Sequence, residues 1–279
     1  MRYNTINFLT DYGLHDEFVG VVKSVIHSVA PDVRIADVTH NIAPHDIRGG
    51  GLALARSAAY LNPGVVLAVV DPGVGSDRKA VAVEVGDGST ILIGPDNGLL
   101  APTVALVGGA TAAADITHSP FRIDAPGPTF DGRDLFGPVS AQLCLGASLE
   151  QVGVPIDPSL LTPAVMPVSA REGDTIVAEV LWIDRFGNCQ LNVDPDELDA
   201  GSYSVQIADQ RRPARRVTHF DALGSSELGL MVDSSGMVAL VLHRTSAAAE
   251  LALTTGIEVR LHHGYKPEGI TTAVTLGKL

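Results

Sequence analysis

The chain reads as an α/β amino-terminal domain with a mainly parallel sheet, followed by a smaller all-β domain of barrel or sandwich type. Three observations predict this. Strand and helix patterns alternate through the first half, which implies a sheet covered on both faces. A continuous apolar run, Val65 to Val70, suits a strand buried on both sides. Short strand patterns separated by turn residues then dominate the second half.

Taken in order, Ile6 to Thr10 reads as the first strand, and Glu17 to Val29 carries helical apolar spacing that stops at Ala30-Pro31. Val33 to Val38 is the next strand and Asp46 to Leu61 the next helix, closed by Asn62-Pro63-Gly64. After the Val65 strand comes a hairpin, Ala80 to Val85 and Thr90 to Ile93, turning through Gly86-Asp87-Gly88. Helices over Asn97 to Val107 and Leu135 to Ala147 complete this half. The proline-bearing stretch from Pro155 to Ser169 is read as a linker, which gives domains of 1–160 and 170–279. Beyond it, strands are expected at Thr175 to Ile183, Tyr203 to Ile207, Glu227 to Val232, Met237 to Leu242 and Glu258 to His262.

Composition narrows the function. Of 279 residues, 46% are hydrophobic and 18% charged, which fits packed domains and not a disordered chain. The formal charge of −13 leaves no surplus of cations to replace counterions, so neither nucleic acid nor an anionic membrane is an expected partner. The one basic cluster, Arg211, Arg212, Arg215 and Arg216, reads as a solvated loop. Cys144 and Cys189 are too few for a disulfide framework and show no metal-ligand spacing, which suits a reducing compartment. Met1-Arg2-Tyr3-Asn4 runs directly into a strand pattern, and no run of about 18 apolar residues occurs. A cytoplasmic location is expected.

Ligands of parallel sheets bind beyond the carboxyl ends of the strands. Two polar clusters occupy such ends here: Thr10-Asp11-Tyr12-Gly13, and Asp71-Pro72-Gly73-Val74-Gly75-Ser76-Asp77-Arg78. Each alone could be an ordinary turn after a strand; two on neighbouring strands favour a site. Neither is a Walker loop or a dinucleotide fingerprint, so phosphate binding is weakly supported. Three further polar turns follow, Gly94 to Leu100, Pro128 to Asp134 and Ile183 to Asn188. Pattern and spacing point to a site and name no substrate.

Read together, these segments resemble the S-adenosylmethionine hydroxide adenosyltransferases, relatives of the fluorinases and chlorinases. The resemblance runs over nearly the whole chain. It is carried by the Thr-Asp-x-Gly start, Asp37-Val38-Thr39-His40, the Asp71-Pro-Gly-Val-Gly loop, Pro95-Asp-Asn-Gly-Leu-Leu, Pro128-Thr-Phe-x-Gly-Arg-Asp and Asp184-Arg-Phe-Gly-Asn. It implies hydrolysis of S-adenosyl-L-methionine to adenosine and L-methionine by in-line attack of water or hydroxide at C5′, with no metal and no cofactor. It also implies a homotrimer whose sites lie at subunit interfaces, the second domain completing the adenine and methionine subsites.

By resemblance, Asp71, Arg78 and Asp131 stand at the reacting centre and Asp11 takes the ribose hydroxyls. Asp16 and Asp184 face the methionine ammonium, and Ser234 and Ser235 its carboxylate. Asn188 reads the adenine edge, with Phe186 and Phe220 packing on the base. Halide-using members carry Tyr where this chain has Asp71, and the long loop that fluorinases insert between Val85 and Thr90 is absent here. One departure stands out: hydrolytic members place His where this chain has Asp131. Two carboxylates flanking one arginine could share a proton, leaving one as base; equally, the change could slow or abolish turnover. A non-catalytic S-adenosylmethionine or adenosine binder, a halogenase and an unrelated metal-dependent hydrolase are the alternatives. Chromatography of the products with and without chloride separates them.

Overall fold

The computed structural model describes residues 2–199 and 201–264. The chain divides into two compact units, Met1–Met166 and Pro167–Leu279. The last stretch of the expected second domain, 265–279, lies outside the described residues.

The first unit runs β1 (Thr5–Thr10), α1 (Phe18–Val29), β2 (Arg34–Thr39), α2 (Ile47–Ala58), β3 (Gly64–Val69), β4 (Ala80–Val85), β5 (Thr90–Pro95), α3 (Ala101–Leu106), β6 (Ala110–Asp115), α4 (Gly137–Leu145), α5 (Leu149–Val152) and β7 (Val154–Ile156). Its seven strands lie in the order β2-β1-β3-β5-β4-β6-β7. Side chains alternate across this sheet as the strand period of two requires. Ile6, Phe8, Val65, Leu67 and Val69 join α1 and α4 in one core, while Leu9, Val66, Ala68 and Val70 join α2 and α3 residues in the other. Burial of Val19, Val22 and Ile26, spaced three and four apart, sets the inner face of α1. Asp46 caps α2, its carboxylate accepting from the Gly49 amide at 2.8 Å.

The sheet is mixed, which corrects the expectation of a mainly parallel one. The β2/β1, β1/β3 and β3/β5 pairs are parallel, and β5/β4, β4/β6 and β6/β7 are antiparallel. The cause lies in the connections. A tight turn with positive φ at Gly86, Asp87 and Gly88 joins β4 to β5, so this pair must run antiparallel. Strands β6 and β7 extend the same edge; β6 is alanine-rich (ATAAAD) and β7 only three residues long, so neither carries a strand-like apolar pattern. Ahead of α4, Gly132–Phe136 form a single turn of π-helix, a feature that recurs at functional sites.

The second unit contains β8 (Ala170–Glu172), β9 (Thr175–Ile183), β10 (Cys189–Leu191), β11 (Ser202–Ile207), β12 (Gln210–Val217), β13 (Leu228–Val232), β14 (Val238–Val241), α6 (Ala247–Glu250) and β15 (Glu258–His263). Pairing of β10 with both β14 and β9 closes strands β9 to β15 into a seven-stranded barrel, with β8 added to β9. Closure removes the exposed edges of an open sheet. Inward residues such as Val180, Leu191, Val205, Leu230, Leu240 and Leu261 fill the interior. The arginine cluster is strand β12 and not a loop. Ala214 points into the barrel and Val217 packs on the opposite face with Leu223, Ala239 and Val241, while Arg212 bonds Glu250 at 3.1 Å and Arg215 pairs with Glu227.

Candidate active site

In the first unit, the ends of β1 and β3 and the start of the π-helical turn surround a cavity of about 260 Å³. Asp11, Tyr12, Phe18, His45, Asp71, Phe130 and Asp131 are among its lining residues. Thr10 organises the first corner. Its hydroxyl accepts from the Tyr12 amide at 3.1 Å and lies 2.9 Å from His40 Nδ1, while the Gly13 amide donates to the His40 carbonyl at 2.7 Å. His40 Nε2 in turn lies 3.1 Å from Asp37 Oδ1. Burial works to raise the Asp37 carboxyl, but the bonds from Lys23 and His40 outweigh it and hold it below the usual range. Asp11 Oδ2 accepts the His45 amide at 2.9 Å, and His45 holds φ at 68°, a left-handed conformation uncommon outside glycine.

Aromatic rings form one wall. Tyr12, Phe18 and Phe130 meet in pairs with centroids 5.0 to 5.9 Å apart. Burial, reinforced by Asp11, Asp71 and Asp131, raises the Tyr12 phenol well above its ordinary value, so it stays protonated at any working pH. A Cβ at position 132 would collide with this hydroxyl, which explains glycine there.

The floor is a chain of alternating charge. Arg78 Nε lies 2.9 Å from each Asp71 oxygen, and its Nη2 bonds Asp71 Oδ2 and also Asp131 Oδ2, the latter at 2.5 Å. Asp131 Oδ1 accepts from Arg122 Nη1 at 2.8 Å. Side-chain exposure falls to 5% at Asp71, 12% at Arg78 and 7% at Asp131, against 34% at Arg122. The Arg78 guanidinium also lies over the Phe136 ring, 5.2 Å from its centroid. Burial alone would lower the Arg78 pKa; hydrogen bonds and charge from Asp71 and Asp131 outweigh it and raise it. Sequence reasoning expected one arginine between two carboxylates. Arg122 makes the count two and two, so charge balance here does not require a shared proton. No motif marks Arg122: it lies in the polar loop before Asp131. His45 was likewise missed, since its contribution is a backbone amide.

Asp16 is exposed and is not among the residues lining this cavity. Among the described residues, no cluster of three or more His, Cys, Asp or Glu could hold a metal ion. Among the same described residues, no helix is long and apolar enough to cross a membrane.

The barrel unit brings the other candidates together by itself. Asp184 Oδ1 accepts the Phe186 and Asn188 amides at 2.8 and 2.9 Å, and its Oδ2 accepts Asn188 Nδ2 at 2.7 Å. Of about four acceptor positions on a carboxylate, three are thus taken by its own turn. Gly187 holds φ at 84° inside that turn, with Ser246 against its Cα. Two cavities of about 490 and 500 Å³ share Phe186, Asn188 and Phe220. Asp184 and Ser234 line the second; Ser235 sits beside it in the turn held by Asp233, whose Oδ1 accepts the Ser235 amide at 2.8 Å. Phe186 is 78% exposed and Phe220 40%. His243 and Arg244 also line the first cavity and were not anticipated.

Residues 6–153 match the SAM hydroxide adenosyltransferase N-terminal domain, and residues 178–260 the C-terminal domain of the same family. An "(R)-S-adenosyl-L-methionine hydrolase" of Salinispora tropica is 42% identical over 93% of this chain and 98% of its own length. The chain belongs to the SAM hydroxide adenosyltransferase family. A second hydrolase of that name, from Thermus thermophilus, is 37% identical over 92% of this chain and 98% of its own. A fluorinase of Actinopolyspora mzabensis stands further off, 28% identical over 92% and 96% of the two chains. Among solved structures, an uncharacterized conserved protein from Thermotoga maritima superposes with a TM-score of 0.85 at 30% identity, covering 92% of this chain and all of that one. The family resemblance read from the ordered motifs is therefore correct. In this member of the family, Asp131 is the carboxylate that Arg122 meets.

Proposed function

We propose that the protein hydrolyses S-adenosyl-L-methionine to adenosine and L-methionine. The observation that carries this reading is the buried Asp71–Arg78–Asp131 cluster on the floor of a cavity in a chain of this family. Water attacks C5′ in line with the sulfonium. The C5′–O bond forms, the C5′–S bond breaks with its electron pair on sulfur, and a water proton passes to a carboxylate. The sulfonium is already a good leaving group, so the protein's contribution is positioning and exclusion of bulk water. Arg78 keeps Asp71 oriented, and Asp71, being anionic, repels a halide from the same position.

Asp11 takes the ribose hydroxyls, with the His45 amide fixing its second oxygen. Asn188 reads the adenine edge and Phe186 and Phe220 cover the base, their exposure leaving the rings free for it. Asp16 and Asp184 face the ammonium, Ser234 and Ser235 the carboxylate. For Asp184 this leaves one acceptor position, the other three serving its turn. The reading includes a homotrimer with sites at subunit interfaces, a cytoplasmic location and no cofactor. Chromatography after incubation with S-adenosylmethionine tests the activity: equal amounts of adenosine and methionine support it, and an unchanged substrate overturns it.

A further inference from the structure

The alternating chain Asp71–Arg78–Asp131–Arg122 assigns different work to its two carboxylates. Among the described residues, Asp71 pairs with one cation, Arg78, which meets both of its oxygens. Asp131 has two, one on each oxygen: Arg78 at 2.5 Å on Oδ2 and Arg122 at 2.8 Å on Oδ1. A carboxylate clamped at both oxygens by separate guanidiniums is fixed in rotation and has an acceptor position of each oxygen occupied. It is a poor place to deliver a proton.

Arg122 is not a stray surface side chain. Its loop is tied down on both sides, the Arg122 amide donating to the Ser119 carbonyl at 3.1 Å and the Ile123 amide to the Asp134 carbonyl at 2.9 Å. The second bond anchors the loop to the π-helical turn that begins just after Asp131, so Arg122 and Asp131 are held in register. The remaining groups near Asp131 do not replace Arg122. Tyr12 is a neutral phenol, Asp11 adds a further negative charge, and Arg133 is engaged with Asp134 at 2.5 Å. His45 lines the same cavity, but it reaches this cluster through its backbone amide, which donates to Asp11.

We propose that Arg122 is a positioning residue: it holds Asp131 as a bridged anion between two guanidiniums and thereby leaves Asp71 to orient water and accept its proton. This rests on the hydrolytic reading above. With Arg122 gone, three groups carry a net charge of −1, and two carboxylates compete for one guanidinium. A proton then persists on the pair to higher pH, because like charges a few ångströms apart resist joint ionisation.

The experiment is a pH–rate series on the full chain carrying Arg122→Gln, Arg122→Lys, Asp131→Asn, and Arg122→Gln with Asp131→Asn. In Arg122→Gln the acid limb of kcat moves up by about one pH unit or more, with KM for S-adenosylmethionine changed less than threefold. Arg122→Lys restores the limb to within half of that shift. In the Asp131→Asn background, Arg122→Gln moves nothing further, because the anion it compensates is gone. A uniform loss of rate across pH in Arg122→Gln, or an equal shift in both backgrounds, overturns the proposal. If the unsubstituted protein releases no adenosine, the hydrolytic reading itself fails. The charge chain is then read separately, as the urea midpoint of the same four variants at neutral pH. Non-additive effects of the two substitutions uphold the Arg122–Asp131 clamp, and additive ones refute it.

Discussion

At the scale of single residues, the proposed function separates, within the first unit, a group that would hold substrate from groups that would act on it. Asp11 lies at the end of β1, held by the His45 amide, and makes no bond to the Asp71–Arg78 pair. Asp11→Ala should therefore weaken adenosine binding by about 1.5–3 kcal/mol, the value of hydrogen bonds to a charged acceptor. That is about 10- to 150-fold in Kd by calorimetry. Arg78→Ala should leave adenosine affinity within about threefold and cut kcat by at least about a hundredfold, since it leaves Asp71 and Asp131 buried without the cation they share. Equal losses of affinity in the two variants would refute this division. By resemblance Asp131 reads as a departure from the family pattern, but its chemical setting was not legible. Sequence spacing cannot show that a loop arginine nine residues earlier folds back onto it.

At the scale of elements, the two cysteines report how firmly their surroundings close. Cys144 on α4 and Cys189 on β10 are both fully buried. Burial pushes each thiol up to about 12, with Asp184 adding to the effect at Cys189. Neither should react with iodoacetamide at pH 8 in the folded protein, and both should react in urea; mass spectrometry counts the adducts. The sign for stability follows. Unfolded thiols lose their protons near pH 9 and folded ones near 12, so the unfolded state binds fewer protons between these limits. These groups favour folding fully below pH 9, and their contribution falls as pH rises through the window to 12. A urea midpoint that rises from pH 9 to 10.5 would contradict this. Elements with strong periodicity, β1, α1, α2 and β9, were legible from residue pattern alone. Strand β12 was not, because four arginines hide a strand whose buried residues are only Ala214, inside the barrel, and Val217, on the opposite face. The parallel bias was overread for a related reason. Apolar alternation reveals which face is buried but not strand direction, which the short turn at Gly86 to Gly88 dictates.

At the scale of the whole molecule, the proposed ribose-binding residue Asp11 belongs to one unit and the turn proposed to read adenine belongs to the other. A trimer completing its sites between subunits should run at three times the chain mass of 29.1 kDa by light scattering, and an active monomer would refute that assembly. Legibility at this scale came from the order of motifs along the chain, since no single turn was specific. The central claim is that water, positioned by Asp71, displaces methionine at C5′. Turnover of S-adenosylmethionine in ¹⁸O-labelled water, with and without chloride, tests it most directly by mass spectrometry of the nucleoside. The expected result is adenosine carrying one ¹⁸O at its 5′ hydroxyl and unchanged by chloride, with the label lost along with turnover in Asp71→Asn. Unlabelled adenosine, a 5′-chlorinated nucleoside, or full turnover in Asp71→Asn would contradict it.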